Sequence, residues 1–330
     1  MDSRLAADAA AWADRVCGCL LGGALGDALG APFEGWPEVT AEQIERQVTA
    51  ARSLTWTDDT ALQLATAGYL ATLEDWRAFD DDEHARALAD AWAEAPDRGY
   101  GSNPPYVFRT VLAGGDWRAA ACEAFGGAGS LGNGGAMRAA PLGTVPADTA
   151  VVAQLARRTA AVTHAHAVGK DGSVVIALVA RTVLASPPGS LPPAGELVDG
   201  CLPHLETPEV RRAVGAVPDT LALEDPVAVG TVTGTGVAAH EAVAAALSAF
   251  LHHPREPLAA VRFAVRMGGD TDTIAAMAGS LGGAACGAEA LPGDLLDRLE
   301  SRAQIERVAA DLATRSRSVG TPGAPAEPGQ

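Results

Sequence analysis

Two short runs in this chain carry acids and hydroxyls at a spacing that suits metal chemistry. The first is Trp56-Thr57-Asp58-Asp59-Thr60, just ahead of an apolar-periodic segment. The second is Gly268-Gly269-Asp270-Thr271-Asp272-Thr273, which opens another apolar segment from Ile274 onward. A helix N-cap accounts for one Thr or Asp at each place, because its side chain accepts free N–H groups and suits the helix dipole. Two adjacent acids with two hydroxyls exceed what a cap requires. Asp270 and Asp272 are two apart, so one turn can aim both at a common centre. Carboxylate and hydroxyl oxygens are hard ligands, suited to Mg²⁺, Mn²⁺ or Ca²⁺. If the runs converge, four Asp in one place repel strongly without metal, which favours two bridged divalent ions. His–Cys zinc spacing is absent.

Three further runs add candidate contacts. Gly129-Ser130-Leu131-Gly132-Asn133-Gly134-Gly135-Ala136-Met137-Arg138 is either a plain turn or a loop whose N–H groups cradle phosphate oxygens. It lacks the GxxxxGK[ST] form, and no strand–GxGxxG–helix unit accompanies it, so nucleotide-triphosphatase and Rossmann readings are weak. Thr163-His164-Ala165-His166 ends a helical stripe. A helix end attracts His for dipole reasons alone; His164 is the preferred candidate for a ligand or substrate role. His252-His253 before Pro254 reads as a solvated helix end. Glu34, in Ala31-Pro32-Phe33-Glu34-Gly35-Trp36, is suited to a mobile loop over a site.

The elements that must position these residues are mainly helices. Leu62, Ala65, Tyr69 and Leu73 recur at spacings of three and four, as do Val152, Leu155, Thr159 and Val162. Val243, Leu247 and Leu251 follow the same rule, and so do Leu258, Val261 and Val265. The run Val174 to Leu184 is rich in β-branched residues, but its length and lack of alternation favour a buried helix. No series of short alternating strands appears, so the fold is expected to be all-α. Gly22, Gly26 and Gly30 lie four apart, as do Gly279, Gly283 and Gly287. On a helix each trio makes a smooth ridge. An interior Gly costs roughly 1 kcal/mol against Ala. Close helix–helix approach is the natural offset, so both helices should lie centrally and at least one should pack its glycine face against a neighbour; the alternative is that the glycines mark loops.

Composition sets the frame. The chain has 330 residues, 48% hydrophobic and 20% charged, enough to bury a sizeable core. Aromatics are 5% and glycines number 37, so the interior must use small side chains. Residues 1–314 are expected to form one domain and 315–330, rich in Pro, Gly and Ser, a disordered tail. A net charge of −17 repels phosphate backbones and disfavours free nucleic acid. Five cysteines without a CxxC pair fit a reducing cytoplasm and mostly buried thiols. The N-terminus lacks the basic start of a signal peptide. The apolar run Val16 to Phe33 reads as too short and too polar for a membrane span. No membrane partner is expected, and a monomer is.

Taken in order, the motifs resemble the ADP-ribosylglycohydrolase family. The resemblance rests on Gly22-Gly23-Ala24-Leu25-Gly26-Asp27, Thr57-Asp58-Asp59-Thr60, Gly132 to Arg138, Thr163-His164 and Gly269-Asp270-Thr271-Asp272-Thr273, and runs from about Cys17 to Pro292. Arg98-Gly99-Tyr100-Gly101, Phe125 and Glu34 make it most similar to the branch that releases ADP-ribose from serine, poly(ADP-ribose) and O-acetyl-ADP-ribose. The resemblance implies a single-domain orthogonal helical bundle with a dinuclear Mg²⁺ or Mn²⁺ centre. It implies Glu34, Thr57, Asp58, Asp59, Asp270, Asp272 and Thr273 at the metals, with Glu34 a mobile acid. It implies Gly101, Phe125, Ser130, Leu131, Gly132, Asn133, Gly134 and His164 at the substrate, with Phe125 on adenine. The branch has an aromatic where this chain has Leu131, so adenine stacking becomes one-sided. The expected partner is an ADP-ribose-bearing substrate.

The chemistry asked of such a site is cleavage at the anomeric ribose carbon, which builds oxocarbenium-like charge. A carboxylate takes the proton of the attacking water. Asp58, Asp59, Asp270 and Glu34 form the pool containing that base, and Asp27 is expected behind them in a structural role. The runner-up readings are an arginine-linked ADP-ribose hydrolase and a non-catalytic ADP-ribose binder or structural protein.

Overall fold

The computed structural model describes residues 3–318, and the regular structure among them is helical. Only two isolated bridges, Leu54 with Leu299 and Gly132 with Ala238, stand outside the helices among the described residues. The expected all-α class is the observed one.

The centre is a pair of helices, Ser3–Gly30 and Thr271–Cys286. Gly18, Gly22, Gly26 and Gly30 face the backbone of Gly283, Gly279, Ala275 and Thr271 in turn. Each step of four up one helix is a step of four down the other, so the pair is antiparallel. A Cβ on Gly18, Gly22, Gly26, Gly279 or Gly283 would strike main-chain atoms that cannot rotate away. Absent side chains thus let the two backbones touch, and the helical cost of glycine is offset by this contact. The seam is longer than the expected ridge, because Gly18 belongs to it as well. Gly287 closes it: its main chain faces Gly18, a Cβ there would strike the Asp14 carboxylate, and it ends its helix with φ +86°, a left-handed conformation that glycine takes without strain.

The remaining helices wrap this pair. Val174 to Leu184 lies in the buried helix Ala167–Ala185, as its length suggested. Asp58–Thr72, Ala239–His252, Pro257–Arg266 and Arg302–Ser318 also pack on the pair. The apolar run expected to be too short for a span belongs to a longer stretch, Asp8–Phe33, that by length and composition is able to cross a membrane. Most of it is buried inside the protein, 83% of its apolar 18-residue window, as in a core helix. The final helix continues through Ser318, so the tail expected to start after residue 314 is set too early, and residues 319–330 lie outside the described residues. All five cysteines are free; Cys19 and Cys201 are buried, Cys17 and Cys286 half-buried, and Cys122 exposed.

Candidate active site

The glycine seam ends at Gly30 and Thr271, where the Thr271 hydroxyl donates to the Gly30 carbonyl at 2.9 Å. This end of the pair carries Asp27, Glu34, Asp270 and Asp272. Antiparallel packing therefore brings together residues more than 230 positions apart.

Asp27 is fully buried and organises the first acidic run. Its carboxylate accepts the N–H of Thr57 at 3.0 Å, the N–H of Thr60 at 3.0 Å and the hydroxyl of Thr60 at 2.6 Å. These are free donors at the start of Asp58–Thr72, so Asp27 serves as a cap supplied from another helix. Thr57 occupies the N-cap itself, accepting from the N–H of Asp59 at 3.3 Å. Arg98 braces the loop from behind. It pairs with Glu300 at 2.7 Å, lies 3.5 Å over the Trp56 ring, and offers its own carbonyl to the N–H of Asp58 at 2.9 Å.

The second run meets the first through hydroxyls. Asp59 Oδ2 accepts from Thr57 at 3.1 Å and from Thr273 at 3.3 Å. Its other oxygen, Oδ1, is buried without a hydrogen-bond partner. Glu34, Asp270 and Asp272 each offer a carboxylate oxygen, all within 4.8 Å of one another. Reciprocal backbone bonds hold the Glu34 loop there: Gly35 N–H to the Gly269 carbonyl at 2.8 Å, and Gly269 N–H to the Trp36 carbonyl at 2.7 Å. Asp270 also accepts a short bond from the Asn133 amide. Asp58 is half-buried and lines the same cleft.

Burial pushes these acids up before any neighbour does. Asp27 and Asp272 rise to about 7, and Asp58 and Asp59 rise well above the usual carboxylate range with further repulsion from Asp27 and Asp272. Asp270 and Glu34 are raised as well, burial again first. Six acids in one place cannot all ionise cheaply without a counter-charge. An orphaned Asp59 oxygen, three converging carboxylates and oxygen-only donors are what a hard divalent cation fits.

A cleft of about 480 Å³ opens beside the acids. Gly101, Ser130, Leu131, Gly132, Asn133, Gly134 and His164 line it. The glycine-rich loop is pinned by Asn133 N–H to the Val237 carbonyl at 2.9 Å and Ala239 N–H to the Leu131 carbonyl at 3.0 Å. Phe125 stands at the mouth, 70% exposed, with φ +53°. A left-handed phenylalanine is uncommon, and such strain clusters at functional positions. Leu131 at 42% and Val237 at 64% are exposed on the same cleft.

Not every expected residue behaves as foreseen. Thr57 does not itself line the cleft; its hydroxyl donates to Asp59, which does. His166 does not end a helix; it caps the start of Ala167–Ala185, accepting from Val168 N–H at 3.1 Å. His252 is no solvated end either: it stacks on Phe263, with ring nitrogens 2.7 Å from the Ser248 carbonyl and 2.9 Å from the Leu223 carbonyl. Sequence reasoning gave no role to Val237 or Arg138. Arg138 is fully buried, lines the cleft, and donates to the Gly134 carbonyl at 2.9 Å, the Thr159 carbonyl at 2.8 Å and the Thr163 hydroxyl at 2.9 Å. Its place in the Gly132–Arg138 run, ending an apolar Ala-Met pair, was the available signal.

The comparisons with known proteins agree with one another. The ADP-ribosylglycohydrolase family model matches residues 8–322. The ADP-ribosylhydrolase ARH3 of Bos taurus is 32% identical, over 87% of this chain and 88% of its own. That of Homo sapiens is 30% identical, over 84% and 87%. A solved structure described as an ADP-ribosylglycohydrolase-related protein complex superposes with a TM-score of 0.70 at 29% identity, covering 92% of this chain and 99% of that one.

Proposed function

Because the chain belongs to the ADP-ribosylglycohydrolase family and is an ADP-ribosylhydrolase, we propose that it cleaves the O-glycosidic bond of ADP-ribosylated serine and depends on two divalent cations, Mg²⁺ or Mn²⁺. O-acetyl-ADP-ribose and poly(ADP-ribose) are further substrates of the same site in this reading. The observation that carries it is the convergence of Glu34, Asp59, Asp270 and Asp272 beside one cleft, with a buried Asp59 oxygen left unpartnered.

Glu34, Thr57, Asp58, Asp59, Asp270, Asp272 and Thr273 would hold the cations. When bound, the cations supply Lewis-acid charge and offset the repulsion among the acids. The protein's own groups do the rest. The Ser130–Gly134 turn offers backbone N–H groups and the Ser130 hydroxyl to the diphosphate, with His164 behind it. Phe125 stacks on adenine, and Leu131 faces it as an apolar wall. Gly101 leaves space beside the ribose. A carboxylate from Asp58, Asp59, Asp270 or Glu34 takes a proton from the attacking water as the water oxygen bonds the anomeric carbon; the bond from that carbon to the serine oxygen breaks, and the serine oxygen leaves as a hydroxyl after taking up a proton from the carboxylic acid so formed or from water. Orientation contributes as much as acid–base action, since a fixed ribose meets a fixed water.

The linkage is tested by incubating the protein and Mg²⁺ with serine-linked and arginine-linked ADP-ribosylated peptides and quantifying free ADP-ribose. Faster release from serine is expected. Release from the arginine peptide alone overturns the serine assignment, as does release from neither peptide.

A further inference from the structure

Thr163 stands between the Arg138 guanidinium and the His164 ring. Thr163 is fully buried. Its hydroxyl oxygen has two neighbours: Arg138 Nη2 at 2.9 Å and His164 Nδ1 at 2.8 Å. A guanidinium is donor-only, so that bond takes a lone pair of the hydroxyl. The hydroxyl proton must then go elsewhere, and Nδ1 is the one partner left. If Nδ1 carried the imidazole proton instead, two donors would meet the oxygen and the buried hydroxyl hydrogen would find no acceptor. An unmet buried donor disfavours that arrangement by roughly tenfold or more.

We propose that Thr163 is a positioning residue that locks His164 in the tautomer protonated at Nε2, so the ring presents a hydrogen-bond donor to the cleft. The ring occupies the space that side chains on Gly132 and Gly134 would need: a Cβ on Gly132 would come within 3.4 Å of Nε2, and a Cβ on Gly134 would collide with the ring. Its N–H therefore adds to that of Gly134, since the N–H groups of Gly132 and Asn133 go to the Ser130 hydroxyl and the Val237 carbonyl. Asn103 strengthens the mount by donating to the Thr163 carbonyl at 3.0 Å. Burial first, and the Arg138 charge second, push the His164 pKa down to about 3, so the ring donates while neutral. The Arg138 guanidinium has no carboxylate at ion-pair distance among the described residues, and its charge lies under the same loop. The two together form a cationic and donor-rich floor for a diphosphate.

This inference rests on the reading that the Gly132–Gly134 turn receives a diphosphate. Its test keeps the two separable. Ring ¹⁵N shifts of His164 in the labelled full-length protein, assigned with His164→Gln, should show a protonated Nε2 and an unprotonated Nδ1. Thr163→Val should shift the ring toward mixed tautomers and weaken ADP-ribose binding about tenfold by calorimetry, while adenosine binding holds. KM should rise with kcat changed less than twofold, and Thr163→Ser should restore both signals. A wild-type ring protonated at Nδ1 overturns the proposal, as does a Thr163→Val protein with unchanged ADP-ribose affinity. If Thr163→Val fails to fold, the wild-type shifts alone decide. A wild-type protein that shows the Nε2 proton yet ignores ADP-ribose contradicts the functional reading instead.

Discussion

The Thr60 hydroxyl donates to Oδ2 of Asp27 at 2.6 Å, and both residues are buried. One helix therefore caps another across 33 positions of sequence, and the capped turn is the one that presents Asp58 and Asp59. Asp27→Ala should remove the acceptor for three donors at once. Hydrogen bonds to a charged acceptor are worth about 1.5–3 kcal/mol each, with strong non-additivity. The expected outcome is a lower Tm and loss of turnover together. A variant with wild-type activity and wild-type Tm would show that Asp27 does not set the turn.

The glycine seam predicts a steep steric response. Gly26→Leu and Gly283→Leu place side chains against Ala275 and Gly18 main-chain atoms. Overpacking of this kind costs about 3 kcal/mol, and each kcal/mol lowers Tm by about 2–4 °C in a chain this large. Thermal melts should show both variants markedly less stable. Gly35→Ala, with open space but φ +79°, should cost less than either.

How far such features were legible depended on how local they are. The four-residue glycine spacing is visible in the sequence, and so are two acidic runs at helix starts. The Asn133–Asp270 bond and the Arg138–Thr163–His164 chain join residues that only tertiary packing brings together. No periodicity encodes them. His252 looked solvated because its neighbour Pro254 signals a helix end, whereas the Phe263 ring that covers it comes from the next helix.

Stability should depend on pH in a direction set by the acids. Folding raises Asp27 and Asp272 to about 7, while an unfolded aspartate titrates near about 3.9. Between these values the folded state binds more protons than the unfolded state. The stability they contribute is thus complete below about pH 4 and is lost as pH rises through about 7. In chelator, Tm should fall from pH 5 to pH 8. Added Mg²⁺ should raise Tm most at pH 8, where the carboxylates are ionised and free to bind it. An equal Mg²⁺ effect at both pH values would contradict the coupling.

Leu131 faces the cleft that Phe125 borders, and aromatic pairs add about 0.5–1.5 kcal/mol beyond area burial. Leu131→Tyr should tighten ADP-ribose binding by roughly 2- to 12-fold, and Phe125→Ala should weaken it. Calorimetry with ADP-ribose and with ribose 5-phosphate separates adenine contacts from the rest. If Leu131→Tyr changes both ligands equally, the residue does not face adenine.

On the function proposed above, acids from separate parts of the chain meet to support metal-dependent hydrolysis. Its most direct measurement is ADP-ribose release from a serine-linked peptide. The wild-type protein and Asp58→Asn/Asp59→Asn are compared in Mg²⁺, in EDTA, and after Mg²⁺ is restored. Turnover by the wild type should stop in EDTA and return with Mg²⁺, and the double variant should keep its helical circular dichroism but release nothing. Turnover that persists in EDTA, or in the double variant, would contradict the proposed function.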